Sequence, residues 1–424
     1  MTDLAAEVPL EDLRRVDAAD VYKGERLAAR LWRHGAEVHF SYQPDYLTDT
    51  AAPPVAWTLP KTSDVLRTAG GAVPPFFAGL LPEGIRLRAV VAGTRTSEDD
   101  HLTLLIAVGA DAIGDVRVVP AGDRPGHPAT TVVEDRIPTL DLADVFSRAV
   151  TPDPVDFERI ALPGVQAKVS AAMVSAPINT TAGPAILKLN PDRGYPRLVE
   201  NEHFFLTMAA DCGLVVPEHR LVVDRTGSTG LLVARFDRTP EQGGGFSRLA
   251  QEDACQLLSA YPAAKYRLNT ETVARTLADV VETGLGAGPV ALRRVFELLT
   301  FSYLIGNGDL HGKNFSARMA PSGTWEVSPA YDLVSTQPYL GWRDPMALDL
   351  YGRANRFDRR HLVESGARLG LPERAVARVV DQIADRAEPW LDRVDRIGLG
   401  ERPTELLREL IRTRLAELRP GLGR

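Results

Sequence analysis

The sequence predicts an α+β fold in which β-rich segments precede a mostly helical part of the chain. Between residues 18 and about 120, and again between 158 and 238, short apolar segments rich in strand-forming residues are separated by turn residues. After the Gly243–Gly245 loop the pattern becomes mostly helical to the end. At 424 residues the chain is too long for one simple domain, so we expect two or three folding units.

The first domain is predicted to span residues 1–148 and to begin with a β-hairpin. Val21–Leu27 and Ala36–Tyr42 alternate between apolar and polar residues on either side of a turn at His34 and Gly35. Period-two alternation is typical of strands with one buried face. We therefore expect a sheet near the start of the chain.

Three further features follow in this domain. Pro74–Gly84 is an apolar block bounded by Pro and Gly, and Leu102–Val108 is predicted to be a short apolar helix. Residues 119–130 have the strongest linker composition in the chain, with Pro and Gly at close intervals. The domain boundary is therefore placed between this segment and about residue 150.

The second domain, residues 149–424, is predicted to contain a β-rich part, 149–240, and a helical part, 241–424. The expected elements of the β-rich part are a buried strand at Ala185–Leu189, a helix at Leu198–Cys212 ended by Gly213, and strands at Leu221–Val223 and Leu231–Phe236. The apolar face of the last helix, which indicates core packing, consists of Leu406, Leu407, Leu410, Ile411, Leu415 and Leu418.

Composition excludes several classes of protein. Apolar residues make up 44% and charged residues 25% of the chain, which is typical of a globular protein. A net charge of -7 argues against a general nucleic-acid binder. With only two cysteines, Cys212 and Cys255, we expect buried thiols rather than a disulfide framework or zinc site. The start of the chain lacks a secretory signal pattern and no apolar run is long enough to span a membrane, so we expect a cytoplasmic protein.

The segment Gly308–Phe315, Gly-Asp-Leu-His-Gly-Lys-Asn-Phe, carries the strongest chemical signal. Asp309 lies five positions before Asn314, and Asp332 follows a short distance downstream. Phosphoryl transfer from ATP needs a carboxylate that accepts the proton of the attacking hydroxyl, together with an amide oxygen and a second carboxylate that hold Mg²⁺ against the phosphates. The Asp-x4-Asn spacing is that of the protein-kinase catalytic loop.

The residues between these two halves predict a β-hairpin. Strand-forming residues on both sides of the turn signal Pro321–Gly323 would return the chain to its starting point. Asn314 and Asp332 should then lie at the same end of the hairpin, within reach of one metal ion. Because turns favour Asp and Asn, a polar turn without chemistry remains the alternative.

Lys188 is the predicted phosphate-binding lysine. It lies within an apolar strand, and a buried ammonium is costly unless it is paired. The chain has only six lysines, at positions 23, 61, 168, 188, 265 and 313, because Arg fills the ordinary surface role. In kinases a strand lysine contacts the α- and β-phosphates and pairs with a helix carboxylate. The next predicted helix offers Glu200 and Glu202, and Glu202 is the preferred partner.

Weaker nucleotide-binding candidates surround these residues. Each has a structural alternative, as a loop glycine or a solvated loop side chain. The candidates are Gly164, Gln166 and Lys168 in a turn that could cover phosphates, Phe236 and Asp237 where a hinge and ribose contact would lie, and His311 and Lys313 as phosphate contacts inside the catalytic loop. Together with the order of β-rich and helical parts, the whole set predicts a bilobal protein-kinase-like fold with ATP and Mg²⁺ in a cleft between the lobes.

The same segments resemble the HipA-type Ser/Thr kinase toxins of bacterial toxin–antitoxin modules. The order of the matching blocks is specific to that family, although the catalytic loop alone is shared with other kinases. The blocks are Pro75–Gly84, Gly164–Lys168, Ala234–Arg238, Gln251–Gln256, Gly308–Ser316 and Tyr331–Ser335.

The resemblance implies an ATP- and Mg²⁺-dependent protein kinase. It also implies a translation-related protein substrate such as an aminoacyl-tRNA synthetase, and an inhibitory helix-turn-helix antitoxin of HipB type through which DNA is contacted indirectly. One departure concerns a serine that the family often autophosphorylates shortly before the phosphate loop, because Ala161 occupies that position here.

Two other functions stay open at this stage. A small-molecule kinase of the aminoglycoside or choline type uses a similar catalytic loop, but it would not require the Pro75–Gly84 block. A non-catalytic, antitoxin-binding co-repressor would not need to retain Lys188, Asp309, Asn314 and Asp332.

Overall fold

The computed structural model describes residues 9–126, 134–142, 173–180, 182–191 and 194–419. A five-stranded antiparallel sheet opens the chain, with strand order β4-β3-β2-β1-β5. Its strands are β1 (Ala18–Lys23), β2 (Arg26–His34), β3 (Glu37–Tyr42), β4 (Leu66–Ala69) and β5 (Val116–Pro120). The predicted turn at His34 and Gly35 is confirmed, because β2 and β3 pair around Gly35, whose φ of 62° suits a residue without a side chain. The predicted first strand, Val21–Leu27, is wrong in its bounds, because it contains the turn at Gly24 that joins β1 to β2.

Four α-helices pack with this sheet: α1 (Pro44–Thr48), α2 (Pro75–Gly79), α3 (Gly84–Thr94) and α4 (His101–Val108). The predicted apolar block forms α2, which begins with Pro at its first turn and buries Phe76 and Phe77. The predicted short helix is confirmed as α4, whose residues from Leu102 to Val108 are all buried. The side chain of Asp100 caps its N-terminus by accepting from the Thr103 amide.

A second antiparallel sheet, of four strands in the order β6-β7-β9-β8, supports one face of the candidate site. Its strands are β6 (Val174–Thr180), β7 (Gly183–Leu189), β8 (His219–Val223) and β9 (Thr229–Ala234). The intervening helix α5 (Leu198–Cys212) has the predicted bounds and ends at Gly213, whose φ is 97°. The last strand was predicted to reach Phe236 but ends at Ala234.

The remainder of the chain is mostly helical, as predicted, with two small sheets. The helices are α6 (Ala254–Leu257), α7 (Thr270–Thr283), α8 (Gly288–Ile305), α9 (Gln337–Leu340), α10 (Arg359–Arg368), α11 (Glu373–Ala387) and α12 (Glu401–Leu418). One sheet pairs β10 (Arg238–Pro240) with β11 (Phe246–Arg248). In the other, the central strand β13 (Ser316–Met319) pairs with β12 (Gln251–Asp253) and with β14 (Trp325–Val327).

The helical part has one large hydrophobic core. Most of the predicted apolar face of the last helix packs into it, since Leu407, Ile411, Leu415 and Leu418 are buried and Leu410 packs against them partly buried. Leu406, also predicted for this face, is partly exposed and lies outside the core cluster. Cys212 and Cys255 are both buried and free, as expected. Within the described ranges, no helix combines the length and apolar character needed to cross a membrane.

The N-terminal sheet unit makes specific contacts with the later part of the chain. The Gln256 amide nitrogen donates to the carbonyl oxygen of Phe76 at 3.0 Å, and the Trp57 backbone amide donates to the Glu252 carboxylate at 2.8 Å. Gln256 also completes a capping box with Asp253 at the start of α6. These contacts attach the N-terminal unit directly beside the catalytic-loop segment.

Candidate active site

The predicted hairpin is present and places the two metal-ligand candidates in one pocket. Strands β13 and β14 pair from Ala317 opposite Val327 to Met319 opposite Trp325. Because the hairpin brings the chain back to its start, Asn314 and Asp332 both line the same cavity. The structure therefore brings together two residues that are 18 positions apart in the sequence.

This cavity lies between the four-stranded sheet, the catalytic loop and the N-terminal unit. The surface that lines it is mainly apolar, and polar side chains reach it from the sheet, as Lys188 does, as well as from the catalytic loop. The lining residues include Leu80, Ile113, Met173, Ile186, Lys188, Val233, Phe236, Asp237, Asp253, Lys313, Asn314, Tyr331 and Asp332. An apolar pocket with a few convergent polar groups is the expected form of a nucleotide site.

Lys188 projects from β7 into this cavity and pairs with two carboxylates. Its ammonium lies 2.6 Å from Glu202 on α5, the partner predicted from sequence, and also contacts Asp332. Burial lowers the pKa of Lys188, but the charges of Asp332 and then Glu202 raise it more, so the lysine stays protonated. Burial raises the pKa of Glu202 above its ordinary value, although the charge of Lys188 opposes that shift.

Asp309 is held within a network of hydrogen bonds to the rest of the loop. It is only 4% exposed, and its backbone oxygen accepts from the Asn314 amide nitrogen at 2.9 Å. Its backbone amide donates to the side-chain oxygen of Asn307 at 3.0 Å. Asn307, which is fully buried, also donates to the Asp332 backbone oxygen at 3.5 Å. Asn307 thus links the backbones of Asp309 and Asp332, a role that its position in the sequence did not indicate.

The donor set of Asn314 and Asp332 fits Mg²⁺. Because the Asn314 nitrogen donates to a carbonyl, its amide oxygen is the atom left to face the cavity. Asp332 has a φ of 54°, a left-handed conformation that is unusual for a residue with a side chain and is found at functional sites. Across the ranges described, no cluster of three or more His, Cys, Asp or Glu side chains forms a metal cage. Mg²⁺ usually takes one or two protein carboxylates and completes its shell with phosphates and water.

The predicted phosphate contacts of Lys313 and His311 are not favoured by the geometry. The Lys313 ammonium is buried and bonds to the Glu83 carboxylate at 2.9 Å and to the Gly79 carbonyl at 3.2 Å, both in the N-terminal unit. His311 is 2% exposed, and its pKa is well below the usual value because of burial and the positive charge of Lys265. A neutral, buried imidazole is a poor phosphate ligand, so both residues are better assigned to support of the loop.

Phe236 and Asp237, which are neighbours in sequence, have different surroundings in the structure. The Phe236 ring lines the cavity and lies 5.6 Å from the Tyr331 ring, measured between centroids. The Asp237 carboxylate is 3% exposed and accepts from Arg235 and Arg238 through both of its oxygens, and from the Gly114 amide at 2.9 Å. Although Asp237 borders the cavity, these bonds favour an interdomain structural role over the predicted ribose contact.

The remaining predicted site residues lie outside the described residues. They are Gly164, Gln166 and Lys168 of the predicted phosphate-covering turn, together with Ala161 before it. Their assignments stay predictions from sequence.

Three residues near the catalytic loop were not predicted from the sequence as site residues. Glu83 pairs with Lys313 and Lys265, and the Tyr266 hydroxyl donates to the Asp309 carboxylate at 2.6 Å. The scarcity of lysine was a usable signal for Lys265, which is fully buried. Glu83 and Tyr266 carried no comparable signal, because their partners are 182 and 43 positions away in the chain.

Comparison with known families matches both parts of the chain. A family model described as the HipA-like C-terminal domain matches residues 160–391, and one described as the HipA N-terminal domain matches residues 19–119. The first of these covers more than half of the sequence. The Pro75–Gly84 block lies within the second.

Individual relatives agree with these matches. A Sinorhizobium fredii protein named "Putative kinase Y4dM" is 32% identical over 335 residues, which cover 73% of this chain and 75% of that protein. The serine/threonine-protein kinase toxin HipA of Shewanella oneidensis is 28% identical over 297 residues, or 64% of this chain and 65% of that protein.

A solved structure shows the same fold. The complex of HipA, HipB and operator DNA from Shewanella oneidensis MR-1 contains a chain that superposes with a TM-score of 0.72 at 21% identity, covering 94% of this chain and 96% of that one. At this identity the likeness establishes the fold, and the predicted α+β class is confirmed.

Proposed function

The chain belongs to the HipA family of kinase toxins, and on that basis we propose that it is an ATP- and Mg²⁺-dependent serine/threonine protein kinase acting as the toxin of a toxin–antitoxin module. The observation that carries this proposal is the pairing of Lys188 with Glu202 and Asp332 in one apolar cavity that also contains Asn314. A buried lysine between two carboxylates at the wall of a nucleotide-sized pocket is the arrangement on which kinase phosphate binding depends.

The proposed roles follow from the positions of the side chains. Lys188, kept charged by its carboxylate partners, binds the α- and β-phosphates of ATP. The Asp309 carboxylate orients the attacking hydroxyl and accepts its proton. Asn314 and Asp332 would hold Mg²⁺, which when bound neutralises negative charge on the phosphates. The apolar walls, with Phe236 among them, would enclose the adenine and exclude water.

The protein substrate and the partner are inferred from relatives. The named function of the Shewanella oneidensis relative supports transfer to Ser or Thr of a protein. A translation-related protein such as an aminoacyl-tRNA synthetase is the proposed substrate class, which would place the activity in the cytoplasm. The complex with HipB and operator DNA supports a helix-turn-helix antitoxin partner for this chain, with DNA contacted through that partner. The net charge of -7 agrees with indirect rather than general DNA binding.

Incubation of the purified protein with γ-labelled ATP, Mg²⁺ and a cell lysate tests the proposal. We expect label in one or a few proteins, on Ser or Thr, and no label when Mg²⁺ is chelated. Label recovered only in small metabolites would indicate a small-molecule kinase. Absence of any label, with the Asp309→Asn variant indistinguishable from the wild type, would indicate a non-catalytic co-repressor.

A further inference from the structure

The segment between α6 and α7 connects the N-terminal unit with the catalytic loop. The Lys265 ammonium is fully buried and lies 2.5 Å from the Glu83 carboxylate, in the N-terminal unit. The Lys265 backbone oxygen accepts from the Gly312 amide of the catalytic loop at 3.0 Å. Lys265 is therefore held through its side chain by the N-terminal unit and through its backbone oxygen by the catalytic loop. These contacts constrain the backbone of its neighbour, Tyr266.

Tyr266 makes direct contact with the proposed catalytic base. Its hydroxyl donates to Oδ1 of Asp309 at 2.6 Å, and its ring meets the ring of His311 edge-on with centroids 5.1 Å apart. Burial, followed by the charge of Asp309, raises the pKa of Tyr266 well above its ordinary range, so the hydroxyl remains a proton donor. A short hydrogen bond to a carboxylate is stronger than one between neutral groups.

Such a bond matters because a carboxylate base must present one oxygen to the substrate in a defined orientation. The terminal torsion of an Asp side chain is broad and roughly two-fold, so packing alone sets it weakly. A donor fixed on Oδ1 selects one orientation of the group. Loss of a base's orientation reduces turnover even when the substrates still bind.

We propose that Tyr266 is a positioning residue for Asp309, and that the N-terminal unit fixes it in place through the Glu83–Lys265 ion pair. This inference rests on the proposed kinase function, since it assigns Tyr266 to the base of that reaction. It gives the N-terminal unit a part in catalysis that its distance in the sequence from Asp309 would not suggest.

The Tyr266→Phe variant tests the inference, because it removes only the hydroxyl and keeps the ring against His311. We expect the maximal rate of label transfer into lysate protein to fall about tenfold, the effect of losing one hydrogen bond to a charged group. The KM for ATP, the binding of Mg²⁺–ATP and the far-UV circular dichroism spectrum should stay unchanged. Tyr261→Phe is the matched control, since that hydroxyl, in the same segment, donates to the Val73 carbonyl at 3.2 Å rather than to the base.

A double variant distinguishes a positioning role of Tyr266 from a purely structural one. In the Asp309→Asn background, Tyr266→Phe should cause no further loss, because a residue that acts through the base has nothing left to position. An additional tenfold drop in that background would overturn the inference. So would an unchanged or increased rate for Tyr266→Phe alone, the increase indicating that the hydroxyl competes with the substrate. A wild type without any phosphoryl transfer would instead overturn the kinase function itself, so the two failures are distinguishable.

Discussion

The ammonium of Lys188 and the carboxylate of Glu202 form a buried hydrogen-bonded pair, 2.6 Å apart, that joins β7 to α5. Asp332 contacts the same ammonium, so two carboxylates share one cation. The formal charge of this trio is -1, in a cavity whose walls are mostly apolar. A bound divalent cation would compensate that charge, and the lysine would remain available to phosphate oxygens.

Replacement of Lys188 by Met tests the phosphate role of this lysine. Met has a similar length and should keep β7 packed, because burial of Glu202 already favours its neutral form once the lysine is gone. We expect phosphoryl transfer to fall by about a hundredfold or more, as for loss of a charge-stabilising donor, while the far-UV circular dichroism spectrum remains that of the wild type. Lys61→Met is the control, since the Lys61 ammonium donates to the backbone carbonyls of Asp49 and Ala52 and lies over the Tyr46 ring, all within the N-terminal unit. If the Lys188 variant were as active as this control, Lys188 would have no role in binding phosphate.

Asp309→Asn should greatly slow the chemical step, leaving a small residual rate, and spare nucleotide binding. The change is nearly isosteric and replaces the proton acceptor with a neutral amide, while Lys188, Asn314 and Asp332 remain. Loss of a general base costs about a hundredfold or more in turnover. Isothermal titration with Mg²⁺–ATP should give an unchanged Kd. Retention of more than about a tenth of the wild-type rate would show that Asp309 is not the base.

Asp332→Asn is a cleaner test of the metal site than replacement by Ala. The φ of 54° at this position is tolerated by Asn better than by most residues, so the backbone should stay in place. Loss of the carboxylate should weaken Mg²⁺-dependent ATP binding by about tenfold or more, because phosphate charge is then less well neutralised. ATP binding in the presence of a chelator should change much less. The same ratio of affinities with and without Mg²⁺ in variant and wild type would exclude a metal role.

The local features of this chain were predictable from sequence, because they depend on neighbouring residues. The helix Leu198–Cys212 was predicted with its observed bounds, since an amphipathic run ends at a glycine that can adopt a positive φ. The hairpin that joins Asn314 to Asp332 followed from a turn signal between strand formers. The pairing of Lys188 with Glu202 followed from the cost of burying an unpaired ammonium.

The features that were missed depend on contacts between distant segments. The sequence placed Asp237 at the end of a strand, but it contained no sign that Arg235 and Arg238 would pair with that carboxylate. Nor did it indicate that Asp111 would pair with the same two arginines. Lys313 was correctly placed in the catalytic loop, yet its partner Glu83 is 230 residues earlier. A single sequence reports which groups need partners, whereas the choice among distant partners is made by tertiary packing.

Glu252 provides a prediction about pH and stability. Burial raises the pKa of this carboxylate to about 7 from an ordinary value of 4.5, despite the opposing effects of Lys23 and of the bond from the Trp57 amide. Because the folded pKa exceeds the unfolded one, the folded state binds more protons between these values, and stability falls as pH rises through about 7. The Glu252→Gln variant cannot titrate, so its free energy of unfolding relative to the wild type should rise by about 2 kcal/mol between pH 5.5 and 8. Urea unfolding at both pH values measures this difference, and a constant difference would contradict the prediction.

Glu83 gives the converse case, in which a carboxylate stabilises the fold as an anion. Burial raises its pKa, but the charges of Lys313 and then Lys265 lower it more, to about 2 from 4.5. The contribution of Glu83 is therefore fully present above about pH 4.5 and lost as pH falls toward 2. Glu83→Gln would leave two buried ammonium groups without their shared counter-charge, and we expect a loss of about 3–5 kcal/mol in the free energy of unfolding at pH 7.

The compensating double variant Glu83→Gln/Lys265→Met shows whether charge causes this loss. It restores the original local charge, since one carboxylate and one ammonium are removed together. The unbranched side chain of Met, one atom shorter than that of Lys, fills most of the buried space left by Lys265. We expect the double variant to recover a substantial part of the stability that Glu83→Gln loses, because one uncompensated ammonium has been removed. Urea unfolding of the wild type, the single variant and the double variant at pH 7 gives the three values required. A double variant no more stable than Glu83→Gln would show that the contact of Glu83 with Lys265 stabilises through packing or hydrogen bonding rather than through charge balance.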